Sequence, residues 1–539
     1  MLAGLVALAA LVRFVAWTRC AAIFDDGPAF LYLAEAILSG DWARVLQHPY
    51  HPGYPLLVAA AGWLGGATSA HALEAPAVWV SIAAGAACVA LLYGFVADTF
   101  GRAAGWTAAA LLAIHPPAVF ASADVQSDAA YTALFLAAAW AGWRALRSGR
   151  AAPALAAGLL AGLAYLVRPE GLGIALAVLA GGLWLLLRGR WARGRALVWC
   201  AALGLSMALP LASYVAALRA ETGVWTLTQK KSLLVLAAFG AGGRAGSTRP
   251  PPAARPAGSL PGDRTPADGE PGSAVRPIPG GGPLPGAEGA PPGWPARLAG
   301  AAGELYRASV AALRFELLAF LAVGLAIARG RPGRRAVLIG ASMALYAAVL
   351  FALGASAGYV SRRHVLPPLL LGFGYVAIGL QASCAALLRT LPRLPHGPLA
   401  AGIAGVGLTA LFFVPRDLAP RRVERLAVRE AAEWVADRNP GERAVAARRL
   451  RVAYYAQAAY VPLPLGLASP EALLRYLRER RVGWVVIDAA HLRDHPQLQA
   501  AARRAAGGLQ RVHETQAAGH RAQVLALGAS SVSGGPEGG

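Results

Sequence analysis

Apolar runs of about twenty residues recur along most of this 539-residue chain, and no single soluble core absorbs so many. A helix needs roughly 20 mostly apolar residues to cross a bilayer. Such segments lie at 2–22, 76–97, 104–121, 129–146, 152–167, 171–187, 196–218, 307–328, 336–356, 365–388 and 398–414. A shorter piece at 54–65 reads as re-entrant or interfacial. The pattern predicts a polytopic α-helical membrane protein with about 11 transmembrane helices. Composition agrees, with 57% hydrophobic and only 14% charged residues. Soluble domains are about 45–50% apolar and about 25% charged.

Fifty Lys+Arg against 28 Asp+Glu leave a net charge of +22. Position decides what that charge means. Arg102, Arg144, Arg147, Arg150, Arg188, Arg190, Arg193, Arg195, Arg329, Arg331, Arg334, Arg335, Arg389 and Arg393 fall in alternate loops. The intervening loops hold Asp25, Asp26, Asp41, Asp124 and Asp128. By the positive-inside rule the N-terminus is cytoplasmic and the acidic loops are outside. Topology accounts for the arginines, so nucleic acid is not expected as a partner; the lipid bilayer is. Lys230 and Lys231 are the only lysines, and the Arg/Ala/Gly-rich composition suggests a bacterial source and its inner membrane. Cys20, Cys88, Cys200 and Cys384 lack metal-ligand or disulfide-framework spacing and read as buried small residues. The opening run LAGLVALAALVRFVAW lacks a basic n-region and a cleavage site, and is read as a retained first span.

The chain divides by composition. Residues 1–240 form a membrane module with a first outer loop at 23–75. Residues 241–298 are Pro/Gly/Ala-rich, too poor in large apolar residues to order themselves, and are expected to be a disordered outer loop. Further spans occupy 299–414, a small extracytoplasmic α/β domain 415–528, and a disordered tail 529–539. In the α/β part, charged helical stretches alternate with short β-branched runs, which argues a mainly parallel sheet with GWVVID (483–488) as its best buried strand. No glycine-rich phosphate loop follows a strand there, so no nucleotide site is expected.

Chemistry concentrates at the outer rim. In IFDDGPAFLYLAEAILSGDW (23–42), Asp25 and Asp26 stand where the chain leaves the bilayer, ahead of a short amphipathic helix. Capping that helix accounts for one acid and leaves the other unexplained. A carboxylate there can take a proton from an acceptor hydroxyl, its neighbour orienting it or holding a divalent cation. QHPYHPGYPLL adds His48 and His51, able to donate to phosphate, although either is equally an ordinary interfacial residue. SADVQSDAAYTAL adds Asp124 and Asp128 at a helix start, where a structural role is also strong. In LVRPEG, Arg168 and Glu170 read first as a structural ion pair. In YVSRRHVLPP, Arg362, Arg363 and His364 sit outside against the charge rule, and such arginines invite an anion.

In this order, these motifs resemble the GT-C glycosyltransferases, in the branch of protein O-mannosyltransferases and aminoarabinose (lipid A) transferases. That family often has Asp-Glu in the first motif and Ser-Glu in the third; this chain has Asp25-Asp26 and Ser127-Asp128, which keep the charge and shorten the reach. The insert at 241–298 departs from the family. The resemblance implies an inverting transfer of a sugar from a polyprenyl-phosphate donor to a hydroxyl on a protein, lipid or glycan acceptor. In it Asp25 is the base, with Asp26 and Asp128 supporting it or binding a divalent cation (Mg or Mn). Arg362, Arg363 and His364, with His48 and His51, are the candidates for the lipid phosphate. Two readings from other classes compete: a transporter or lipid flippase without this chemistry, and a sensor or assembly protein working through its outer domain. The first predicts polar midplane residues and inverted repeats, whereas most polar residues cluster at one rim and no convincing repeat is present. The second leaves the acidic pair unexplained.

Overall fold

The computed structural model describes residues 1–230, 294–329, 333–390, 397–439, 443–464, 469–488, 492, 496–502 and 508–528. The tail 529–539 and most of the 241–298 loop lie outside them. The loop's last five positions do not behave as expected, because Trp294 already begins a helix.

Every segment expected to span is helical. The membrane part comprises α1 (Leu2–Thr18), α2 (Gly27–Leu38), α3 (Trp42–Gln47), α4 (Gly53–Leu64), α5 (Glu74–Phe100), α6 (Arg102–Ala113) and α7 (Pro116–Ser122). It continues with α8 (Asp128–Ser148), α9 (Ala151–Val167), a 3₁₀ turn Pro169–Gly171, α10 (Leu172–Leu187) and α11 (Arg193–Thr222). After the insert come α12 (Trp294–Leu313), α13 (Phe315–Ile327), α14 (Arg334–Ala357), α15 (Arg362–Leu371), α16 (Phe373–Leu388) and α17 (Pro398–Asp417). Among the described residues five helices are long and apolar enough to cross a membrane, or eight if each bent pair is one span. The shorter α1 and α9 have 17 residues each.

Three segments read as continuous runs are broken instead. The α6–α7 pair bends by 59°, α12–α13 by 90° and α15–α16 by 68°. At the first, Pro116 and Pro117 follow His115, whose extended backbone (ψ 111°) ends α6, as expected before proline. At the second, Arg314 sits at φ 69°, outside helical space. At the third, Pro367 and Pro368 withdraw two helix donors shortly before Gly372.

The C-terminal domain opens with α18 (Leu426–Ala436). It continues through β1 (Ala444–Ala447), α19 (Leu450–Tyr455), β2 (Tyr460–Pro462), α20 (Pro470–Glu479), β3 (Val482–Asp488), α21 (Pro496–Ala502), β4 (Leu509–Ala517) and β5 (His520–Leu527). The sheet order is β2-β1-β3-β5-β4. β3 is the run expected to be the best strand, and it is central. The mainly parallel expectation needs correction: β1, β2 and β3 are parallel, while β5 runs antiparallel to both β3 and β4. β4 is a solvated edge strand of polar sequence, LQRVHETQA, so it carries no apolar signal. Alternation divides the sheet. Val445, Ala447, Val486, Ala522 and Val524 join the core shared with the membrane helices, whereas Ala446, Val485, Ile487 and Leu525 pack with Leu473, Leu474 and Leu477 of α20.

The domain is fastened to the end of α1. Ala21 N donates to Arg421 O at 3.0 Å and Arg421 N to Arg19 O at 2.9 Å. Ile23 N donates to the Tyr455 hydroxyl at 2.8 Å, and His71 stacks on Tyr454 with centroids 4.3 Å apart. The basic loops meet at the opposite end, where Arg144 pairs with Asp98 at 3.1 Å. There Arg334 and Arg335 donate to the carbonyls of Arg147 and Thr99, each at 3.0 Å. Charge and fold thus share one axis.

Candidate active site

The two aspartates that leave α1 point to different partners. Asp25 is ion-paired with Arg451 of α19, and its Oδ1 lies 3.5 Å from Arg425. Asp26 accepts from the Tyr50 hydroxyl at 2.8 Å and from Arg363 Nη2 at 3.1 Å. Asp26 is also the residue before α2, but its side chain makes no capping hydrogen bond. Helix capping therefore does not explain it. About a quarter of each side chain remains exposed (26% and 24%), enough for a substrate to reach.

Arg363 links the first motif to the third. Besides Asp26 it approaches Asp128 at 3.8 Å, and its guanidinium lies 4.6 Å from the centre of the Phe24 ring. Asp128 is buried and ion-paired with Arg168, with side-chain exposures of 6% and 8%. Arg168 also stands 3.7 Å from Glu170 and over the Tyr131 ring at 5.7 Å. The Arg168–Glu170 pair read from LVRPEG is therefore present, but Asp128 is the tighter partner. Asp26, Arg363, Asp128, Arg168 and Glu170 form one continuous charged chain.

Other candidates take different places. Asp124 accepts from the backbone N–H of Phe24 (3.1 Å) and Val125 (2.8 Å), and from Gln126 Nε2 at 3.2 Å, beside Arg422 at 2.5 Å. With no oxygen left over, it fixes the approach to the acidic pair. His364 lies within electrostatic reach of Arg168, Glu170, Arg363 and Asp128, and its Nδ1 faces Ser361 N at 3.4 Å in a capping box. Arg362 is exposed and its charged neighbours are Arg314, Arg421 and Arg422, so it stands apart from the Asp26 cluster.

His51 is 2% exposed and engaged at both nitrogens. Nδ1–H donates to the Tyr165 carbonyl at 2.8 Å, which leaves Nε2 to accept from the Thr228 hydroxyl at 3.1 Å. Burial lowers its pKa from 6.5 to about 4, with Lys230 adding to the shift. His48 accepts from Tyr50 N at 3.1 Å, and burial takes it to about 4 as well. Both are neutral at pH 7. Gly53 explains the HPGYP spelling: a Cβ there would lie 2.6 Å from the Leu166 carbonyl and 2.7 Å from Val167 N. Only glycine lets α4 meet the end of α9.

Several residues of this site escaped sequence reasoning. Arg422, Arg425 and Arg451 come from RRVER and RRLR, basic runs on the acidic side of the protein. The argument applied to SRRH applied to them equally. Tyr50 lies between the two histidines that drew attention instead. Lys230, whose backbone N donates to Thr228 Oγ1 at 3.1 Å, lies within electrostatic reach of Glu170, Arg168, Arg363 and Asp26. Burial lowers its ammonium pKa, partly countered by Glu170. That a chain with two lysines keeps one here was the available signal.

A divalent cation on Asp26 and Asp128 does not fit. Arg363 already stands between these carboxylates, and among the described residues no group of three or more His, Cys, Asp or Glu side chains is placed to hold a metal. Beside His51, an apolar groove of about 530 Å³ runs between α3, α9 and α11, lined by Trp42, Leu46, Pro52, Leu166, Pro210 and Tyr214 among others.

Residues 47–214 match the family model of dolichyl-phosphate-mannose-protein mannosyltransferases. No curated protein matches the sequence significantly. Among solved structures, ArnT from Cupriavidus metallidurans bound to undecaprenyl phosphate is similar at TM-score 0.56 and 14% identity, covering 98% of both chains. The Archaeoglobus fulgidus oligosaccharyltransferase in the apo form is similar at TM-score 0.51 and 15% identity, covering 90% of this chain and 69% of that one. A broken helical bundle, an acidic loop after its first helix and a small sheet domain packed against that loop give this chain the fold shared by ArnT and the archaeal oligosaccharyltransferase.

Proposed function

We propose that this protein is a membrane glycosyltransferase that moves a sugar from a polyprenyl-phosphate donor to an acceptor hydroxyl, with inversion and with Asp25 as base. The reading includes a multi-pass placement in a bacterial inner membrane, N-terminus cytoplasmic, with the 415–528 domain outside. The observation that carries it is the meeting of Asp26 and Asp128 with Arg363 and Arg168, from motifs over 300 residues apart, next to Asp25 on Arg451, at one end of the bundle.

The chemistry follows from charge. Asp25 takes the proton of the acceptor hydroxyl, and that oxygen bonds to the anomeric carbon. The bond from this carbon to the phosphate oxygen breaks, and its electron pair leaves on the lipid phosphate. Arg363 and Lys230 stand where that developing charge is stabilised, since a guanidinium keeps its proton and presents a fork to phosphate oxygens. Asp26 and Tyr50 hold Arg363 in place, and Asp128 with Arg168 braces it from the other side. The apolar groove beside His51 suits a prenyl chain entering from the bilayer.

The test is Asp25→Asn in the full chain, reconstituted in lipid nanodiscs. Undecaprenyl phosphate binding and the thermal unfolding midpoint should stay near wild type, while transfer of radiolabelled sugar from a polyprenyl-phosphate donor falls roughly 10²–10⁴-fold. Full transfer by the variant removes Asp25 as base. Failure of the wild type to bind the lipid phosphate removes the whole reading.

A further inference from the structure

The C-terminal sheet reverses its strand order next to Asp25. From β1 the chain passes through α19 to β2 on one flank, then returns through α20 to β3 on the other flank of β1. Right-handed crossovers in opposite directions place the two helices on opposite faces. The separate packing of α19 and α20 agrees. Such a reversal leaves a crevice outside the carboxyl ends of the two strands, where open sheets bind ligands. Here the residues leaving β1 are Arg448 and Arg449, α19 adds Arg451, and β3 ends at Asp488.

The arginines at this reversal reach Asp25. Arg451 is ion-paired with Asp25, and Arg425, 3.5 Å from the same oxygen, lies within electrostatic reach of Arg449. Among the described residues no hydrogen bond or ion pair engages the guanidinium of Arg448 or Arg449, and Arg448 Nε is buried without a partner. A buried unpaired guanidinium nitrogen is costly unless a ligand satisfies it. No glycine-rich turn supplies backbone donors, so recognition here belongs to arginine side chains.

We propose that Arg425, Arg448, Arg449 and Arg451 form an anion subsite for the acceptor, holding a phosphate carried on the same molecule as the hydroxyl that attacks. This rests on the glycosyltransferase reading. The side follows from geometry: the donor's phosphate belongs with Arg363 and Lys230, beyond Asp26, and an inverting displacement brings the nucleophile from the opposite face. That face is the one bearing Asp25 and the C-terminal domain. The acceptor's anion draws Arg451 and Arg425 from Asp25, and the freed carboxylate then takes the hydroxyl proton. An acceptor without the anion leaves Asp25 ion-paired, so the crevice selects as well as binds.

The test uses the full chain in zwitterionic nanodiscs, presaturated with undecaprenyl phosphate so that the Arg363 cluster is filled, and titrated calorimetrically with inorganic pyrophosphate. The wild type should bind, and Arg448→Ala/Arg449→Ala should weaken binding by about tenfold or more, as expected for lost charge-assisted hydrogen bonds. Arg449→Glu, at an exposed position, should abolish binding with an unchanged unfolding midpoint, and Arg475→Ala, exposed on α20, should change nothing. Repetition in nanodiscs containing phosphatidic acid identifies the source. Competition places the acceptor's phosphate on a lipid, no competition places it on a water-borne molecule, and either supports the subsite. Equal affinity in the double variant, or no binding by the wild type, overturns it. Failure of undecaprenyl phosphate to bind would instead indict the glycosyltransferase reading, while the pyrophosphate titration still reports on the crevice.

Discussion

Arg363 and Asp26, 337 residues apart in sequence, form an ion pair at 3.1 Å. Because the same guanidinium stands 3.8 Å from Asp128, one side chain joins the loop between α1 and α2, the start of α8 and the start of α15. A residue so placed faces two carboxylates, and in the proposed mechanism it offers positive charge to the leaving phosphate.

Arg363→Ala should therefore weaken undecaprenyl phosphate binding by about 10–100-fold, the loss of one or two charge-assisted hydrogen bonds. Arg363→Lys should recover only part of it, since a point charge cannot bridge two acids as a planar fork does. Binding titrations in nanodiscs decide this, and wild-type affinity in the alanine variant would contradict it.

The Arg168–Asp128 pair is a different matter, because both side chains are almost wholly buried. Arg168→Ala should destabilise the protein by about 3–5 kcal/mol, leaving Asp128 as an uncompensated charge. Arg168→Met combined with Asp128→Leu should regain much of that stability while leaving transfer low. Thermal unfolding set against transfer activity separates the pair's two roles.

His48 and His51 give the fold an acid limit. Each has a folded pKa of about 4 against an ordinary 6.5, through burial. Between these values the unfolded chain binds protons that the folded chain refuses, so stability falls as pH drops from 6.5 toward 4, by up to about 1.4 kcal/mol per pH unit for each histidine. Above pH 6.5 neither contributes a slope. Unfolding midpoints measured from pH 4 to 7 should show a shallower decline in His51→Asn than in the wild type, and parallel curves would refute the assignment.

Gly53→Ala forces a methyl group against the backbone of Leu166 and Val167. Overpacking of this kind costs about 1–3 kcal/mol, and the displaced loop carries Tyr50 away from Asp26. Transfer should fall along with stability. Gly4→Ala, which meets nothing within 4 Å, should leave both unchanged.

The helical segments, the side of the bundle that collects the arginines and the identity of β3 were legible in the sequence, because each is written in a local pattern of apolarity or charge. The β4–β5 hairpin was not legible, since β4 is polar and becomes a strand only by pairing with β5. Likewise, DDG, SDAAY, VRPEG and SRRH marked residues that do meet, but nothing local told Arg362 from Arg363. Their adjacent positions on α15 send one to the surface and the other between Asp26 and Asp128.

The sequence alone determined that this chain enters a bilayer many times and exposes acids where its first helix ends, since hydropathy and charge act residue by residue. Only the tertiary structure decided that both nitrogens of His51 are engaged, that Arg168 answers to Asp128 before Glu170, and that a domain 400 residues downstream lays Arg425 and Arg451 on Asp25. Ion pairing and burial depend on distances of a few ångströms, which packing sets and spacing along the chain does not encode.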